Sequence, residues 1–227
     1  MSTVTSDLAA RPSGSPTSER TVLGRVAGVL AIAWLVLEFA AVTQEPLVEH
    51  SSSLAKLQHD YGTANLTRAF AGGYVEALAF VLIVPAIVII TRVFDRGSEA
   101  TKVAAQSFFA LGVAWVASTL AVGFAPGAAA MYAAQHGADI HSIAMVNDIR
   151  NFSYVLQILM QGGMAVALGI AAILGRQWPR LVGWGGVVAG VGVMVGTPFV
   201  HNTMGTLWML WWICLAVVLI RGRGQRA

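Results

Sequence analysis

Six mostly apolar stretches follow one another along this chain: Val26–Val42, Ala69–Ile90, Val103–Ala125, Phe152–Leu174, Leu181–Val200 and Met204–Ile220. Each comes close to the about 20 residues that a helix needs to cross a bilayer core. The runs are continuous, whereas the strands of a membrane barrel alternate, and only helices and closed barrels satisfy the backbone in lipid. A buried soluble helix can imitate one such run but not six in succession. The expected fold is therefore an all-α polytopic membrane bundle with six transmembrane helices.

Charge agrees with that reading. Only 11% of the 227 residues are charged and 56% are hydrophobic, against about 25% and 45–50% in soluble domains. So apolar a chain is not a disordered one. The single cysteine, Cys214, excludes an intrachain disulfide and any multi-cysteine zinc or iron–sulfur site.

Basic residues set the orientation, because they collect in cytoplasmic segments. With the N-terminus inside, the cytoplasmic segments carry Arg11, Arg20, Arg25, Arg92, Arg96, Lys102, Arg176, Arg180, Arg221, Arg223 and Arg226. The outer segments carry only Lys56, Arg68 and Arg150. Both termini are then cytoplasmic. Residues 1–20, rich in Ser, Thr and Pro, read as a disordered cytoplasmic tail, 21–221 as the membrane domain and 222–227 as a short basic tail. The N-terminus lacks the basic start and apolar core of a cleaved signal peptide. The scattered arginines are a topology signal, and no nucleic-acid partner is expected; the expected partner is the lipid bilayer.

Two outer loops are long, Thr43–Arg68 and Pro126–Arg150. Leu47, Leu54, Leu57 and Tyr61 recur at helical spacing in the first, and Met131, Ile140, Ile143 and Met145 do so in the second. Such pieces either lie on the outer surface or cap an outward-facing cavity.

Ionisable groups inside spans are costly and face protein or water. Glu38 and Glu76 qualify, and both fall roughly 6–10 Å below the outer interface at ~1.5 Å per residue. Two carboxylates in a low-dielectric site call for a shared proton, a cation or an arginine. Arg150, Tyr154, Gln157 and Gln161 are spaced 4, 3 and 4, which places them on one face of the fourth span. They either bond between helices, as polar groups do in membrane bundles, or join Glu38 and Glu76 in an outward-opening ligand or ion pocket.

All five histidines, His50, His59, His136, His141 and His201, fall on the outer side. With the nearby acids they offer ligands for an outer divalent metal. Yet His136 and His141 stand five apart rather than at the i, i+4 spacing of a helical zinc pair. No other cofactor is expected.

The fifth span carries the small-xxx-small pairs Gly186/Gly190 and Gly192/Gly196, and the first carries Gly24/Gly28. That spacing lets helices approach closely and offers a homo-oligomer contact through the fifth span.

The span pattern, together with the junction Gly175-Arg-Gln-Trp-Pro-Arg180-Leu-Val-Gly183, resembles the small bacterial six-helix membrane proteins classed as domains of unknown function. That resemblance implies no activity and no site residues. High Ala, Gly, Val and Arg with few Lys points to a GC-rich bacterial genome, so the expected location is a bacterial plasma membrane. The leading functional expectation is a protein that binds or moves a small solute, ion or lipid, without catalysis. The alternatives are a metal-dependent hydrolase in the membrane and a structural or accessory subunit.

Overall fold

The structure is a computed structural model, and it describes residues 16–44, 46, 48–176, 178–200 and 204–222. These form eight helices: α1 (Pro16–Val42), α2 (Leu54–Gly62), α3 (Leu66–Arg92), α4 (Glu99–Val122), α5 (Phe124–Gln135), α6 (Ile140–Gly175), α7 (Arg180–Val200) and α8 (Gly205–Ile220). No strand occurs among the described residues. Residues 1–15 and 223–227, His201, and Leu47 of the first loop's apolar series lie outside them. Residues 16–20, placed by the sequence in the tail, open α1.

Five helical stretches are long and apolar enough to cross a membrane: Thr21–Val42, Leu66–Arg92, Glu99–Gln135, Ile140–Gly175 and Arg180–Val200. α8 is equally apolar but has only 16 residues, about 24 Å at ~1.5 Å per residue.

The long helices form a closed circuit. α1 packs on α3, α3 on α4, α4 on α6, α6 on α7 and α7 on α8, and α8 returns to α1. Each neighbour runs antiparallel to the last. α2 and α5 sit at the end where α1, α4 and α7 finish, which we call the capped end. The turn 93–98 and residues 176, 178 and 179 lie at the opposite end, where Phe94 meets Trp178 edge to face with ring centroids 5.0 Å apart.

Small residues set the closest helix contact. Gly162, Ala165 and Gly169 of α6 face Gly183, Gly186 and Gly190 of α7. A Cβ on Gly190 would run into the Gly162 carbonyl oxygen and stand 2.7 Å from Val166 Cγ2. Gly28 lies against Ala216 and Ile220 of α8, and Gly196 against Met204. Of the glycines whose spacing suggested self-association, Gly28, Gly186, Gly190 and Gly196 are in close contact within the chain. What α7 turns outward is the apolar row Leu181, Trp184, Val188, Val195 and Phe199.

The region 126–150, expected as a loop, is largely helical. α5 is alanine-rich, and its Pro126 sits in the first turn, where a missing N–H costs little. Gly137 takes φ +78 and breaks the chain. Asp139 then caps α6 by accepting from the Ser142 N–H at 3.1 Å. α6 consequently runs 36 residues, about 54 Å, and begins well before Phe152.

The capped end has its own small core of Val48, Leu57, Tyr61, Ala69, Ala130, Met131, Ala134 and Ile143. Leu57, Tyr61, Met131 and Ile143 are the inward members of the two apolar series, whereas Leu54 and Met145 stay exposed. Tyr61 donates to Asn147 Oδ1 at 2.6 Å. Gln135 Nε2 donates to the carbonyls of Tyr61 at 3.0 Å and Ala64 at 2.7 Å.

Gly190→Val is expected to cost about 1–3 kcal/mol through overpacking. In detergent it should lower the thermal midpoint by several degrees, while Val188→Leu on the outward face leaves that midpoint unchanged.

Candidate functional site

The centre of the circuit is aromatic. Trp34 of α1 has its ring centroid 5.9 Å from Phe80 of α3, 5.3 Å from Trp115 of α4, and 5.6 and 6.2 Å from Trp208 and Trp212 of α8. Phe80 and Trp115 are 5.0 Å apart, Trp115 and Trp208 5.4 Å, and Trp208 stacks on Trp212 at 5.1 Å. Most of these pairs are edge to face, which suits the ring quadrupoles. All five residues are buried.

A cavity of about 310 Å³ lies against this cluster toward the capped end. Trp34, Phe80 and Trp115 contribute to its deep wall. α6 supplies Arg150, Tyr154, Gln157 and Gln161, and α1 supplies Glu38. Val48 and Glu49 reach it from the segment after α1, and Gly205 and Met209 from α8. No residue of α7 lines it.

Helical spacing explains the α6 contribution. Positions 150, 154, 157 and 161 fall on one face, which α6 turns inward while Ile149, Phe152, Leu156 and Leu159 face out. Arg150 is only 6% exposed. Its guanidinium rests on Gly127 of α5, where a Cβ would stand 2.7 Å from Nη1. A residue larger than glycine at 127 would push the charged group away. Asn151 Nδ2 donates to the Val48 carbonyl at 3.1 Å, which ties the segment after α1 to the rim.

Five of the six residues singled out from the sequence, Glu38, Arg150, Tyr154, Gln157 and Gln161, thus line one cavity. Glu76 does not line it; it is buried on α3, 5% exposed. Near it on α3 the Phe124 ring lies directly over Gly73.

The described histidines go elsewhere. His50 lies 5.8 Å from the Phe152 ring, and His136 stacks on Tyr132 at 3.9 Å with Nδ1 2.7 Å from the Tyr132 carbonyl. His59 and His141 are exposed on α2 and α6. Among the described residues no three His, Cys, Asp or Glu side chains converge as a metal site.

Sequence reasoning missed the aromatic wall and Glu49. Trp34 and Trp115 also pack between helices. The signal for Trp34 was its spacing: it stands one helical turn before Glu38 on the same face.

The chemistry of the wall is uneven. The indole N–H groups of Trp34 and Trp115 and the Gln157 amide nitrogen are buried without an acceptor among the described residues. Trp208 and Trp212, in the same cluster, are alike in this. Indole nitrogen donates and cannot accept, but these nitrogens are covered by their neighbours and do not open onto the cavity. Above it, Glu38, Glu49 and Arg150 bring two carboxylates and one guanidinium.

Comparison with known proteins found no matching family model, no matching curated protein and no matching solved structure.

Tyr61→Phe should strand the buried Asn147 carbonyl and cost about 1–3 kcal/mol. The local loss should appear as faster hydrogen exchange through residues 54–64, with exchange at the opposite end unchanged.

Proposed function

We propose that this chain is a six-span protein of a bacterial plasma membrane, with both termini cytoplasmic, that binds a small solute in the central cavity from the outer side. The observation that carries this reading is the cavity itself. It lies inside a ring of apolar helices, and its wall gathers Glu38, Arg150, Tyr154, Gln157 and Gln161. Polar groups facing inward from apolar helices mark a path or a site for a ligand. About 310 Å³ is the lower end of the size range of small-molecule sites.

Two further features support the membrane placement. α8 is short, but it packs along α1 and α7, so it shares their depth and serves as the sixth span. Arg25, Arg92, Arg96, Lys102, Arg176, Arg180 and Arg221 all belong to the end opposite the cap, the distribution expected of a cytoplasmic face. The cavity then faces outward.

Binding is the reading because the cavity has the make-up of a ligand site, a mostly apolar and aromatic wall with a few polar groups set into it. Gly28, Gly186, Gly190 and Gly196 are in close contact within the chain, so a scaffold role built on them has less support.

Gly205 offers a clean test, since a Cβ there meets nothing within 4 Å and the residue lines the cavity. Gly205→Phe should fill the cavity with little strain and leave the thermal midpoint equal or raised. Thermal-shift measurements with a panel of neutral, cationic and anionic small solutes should find at least one that stabilises the parent and not the variant. The proposal fails if no solute stabilises the parent, or if every stabilising solute acts equally on Gly205→Phe.

A further inference from the structure

We propose that the cavity's ligand is a small organic cation, an ammonium group carried on an apolar body. This rests on the solute-binding reading and names the charge class that the lining would select.

The charges of the lining are unequal in number. Apart from Tyr154, its ionisable side chains are Glu38, Glu49 and Arg150. Two carboxylates stand against one guanidinium, a formal surplus of one negative charge. The two signs also differ in access. Arg150 is only 6% exposed, with its guanidinium packed on Gly127 of α5. Glu38 is half-buried and Glu49 is exposed. The accessible charge of the lining is therefore mostly negative. A cleft with low-dielectric walls and a surplus of one sign concentrates solutes of the opposite sign.

The remainder of the lining suits an apolar body. Phe39, Val42 and Met209 all line the cavity and keep accessible surface. Tyr154, also accessible, adds a second ring to that of Phe39, and an ammonium is attracted to ring faces. The cavity of about 310 Å³ holds about ten waters' share of liquid volume, the scale of a single substituted ring.

Other ligand classes fit less well. An inorganic cation would exchange its water shell for a mostly apolar wall. Among the described residues no three His, Cys, Asp or Glu side chains converge to replace that shell. An anion would meet two carboxylates and a guanidinium already covered by its neighbours. A zwitterion would need that same guanidinium for its own carboxylate. A neutral solute leaves the negative surplus uncompensated. The ammonium itself has two forms: a protonated amine, whose N–H groups donate to carboxylates, and a quaternary ammonium, whose methyl groups pack on rings. The proposal concerns the charge and the apolar body they share.

The test uses the full-length protein in phosphatidylcholine nanodiscs, whose lipid carries no net charge. Equilibrium binding is measured by titration calorimetry and checked by thermal shift. The probes are phenethylammonium, benzyltrimethylammonium, 2-phenylethanol, 3-phenylpropionate and phenylalanine, which share a phenyl ring and differ in charge. At least one ammonium should bind saturably and more tightly than the neutral, anionic and zwitterionic probes. Binding of phenethylammonium alone assigns the protonated amine, and binding of benzyltrimethylammonium alone assigns the quaternary form. Binding of both assigns a site that reads only the charge; each result supports the proposal. Gly205→Phe should abolish the binding. Glu49→Gln, on the exposed segment after α1, should weaken it about threefold, as for an open ion pair. Glu38→Gln should weaken it about tenfold, as for a charged hydrogen-bond partner inside the bundle. Any binding of 2-phenylethanol should be unchanged in both glutamine variants.

The ligand assignment is overturned, with solute binding intact, if 2-phenylethanol, 3-phenylpropionate or phenylalanine binds at least as tightly as both ammonium probes. It is also overturned if Gly205→Phe, or Glu49→Gln and Glu38→Gln alike, bind the ammonium probes like the parent. If neither ammonium binds, the assignment falls, and the solute-binding reading is decided separately by its own wider panel of solutes.

Discussion

Trp34 is the contact on which the rest of the structure depends. From α1 its ring reaches Phe80 on α3, Trp115 on α4, and Trp208 and Trp212 on α8. One side chain therefore joins four helices of the circuit. Between apolar helices in lipid there is little hydrophobic drive to associate, so dispersion and ring geometry carry more of the load. The first and last helices meet on the same cluster, with Gly28 of α1 close against α8. The cluster also defines the depth of the cavity, since packed indoles form its deep wall and the open space lies on their capped-end side.

That space is kept by arrangements of a different kind. α6 turns a polar face inward, Gly127 leaves room for the Arg150 guanidinium, and Asn151 bonds to the Val48 carbonyl. The cap is a second, smaller core joined to α6 by the bond from Tyr61 to Asn147. Arg68 Nε donates to Gln44 Oε1 at 2.6 Å and so joins the start of α3 to the end of α1. Packing thus fixes the floor of the site, while directional polar bonds fix its rim.

The sequence reveals the spans because mean hydropathy integrates over many residues, and it reveals the polar face of α6 because four residues share one helical phase. It conceals whatever depends on partners distant in sequence. Pro126–Arg150 reads as a loop when the question is where hydrophobicity stops, yet alanine and the Asp139 cap make most of it helical. Glu38 and Glu76 look equivalent by depth, but only Glu38 lines the cavity, because helix rotation is set by packing. Glycine spacing signals close approach without naming the neighbour, and here the neighbours are α6 and α8 of the same chain. That Trp34 and Trp115 border a cavity appears only once the fold brings α1, α4 and α6 together.

The most direct test is thiol accessibility of the cavity in intact cells. Cys214 is the sole cysteine, so Cys214→Ser gives a silent background into which Gln161→Cys is introduced. A membrane-impermeant maleimide added outside should label Gln161→Cys, and bulky solutes that fill the cavity should slow the reaction. Labelling only in inside-out vesicles, or none from either side, would contradict a central cavity open to the outer face.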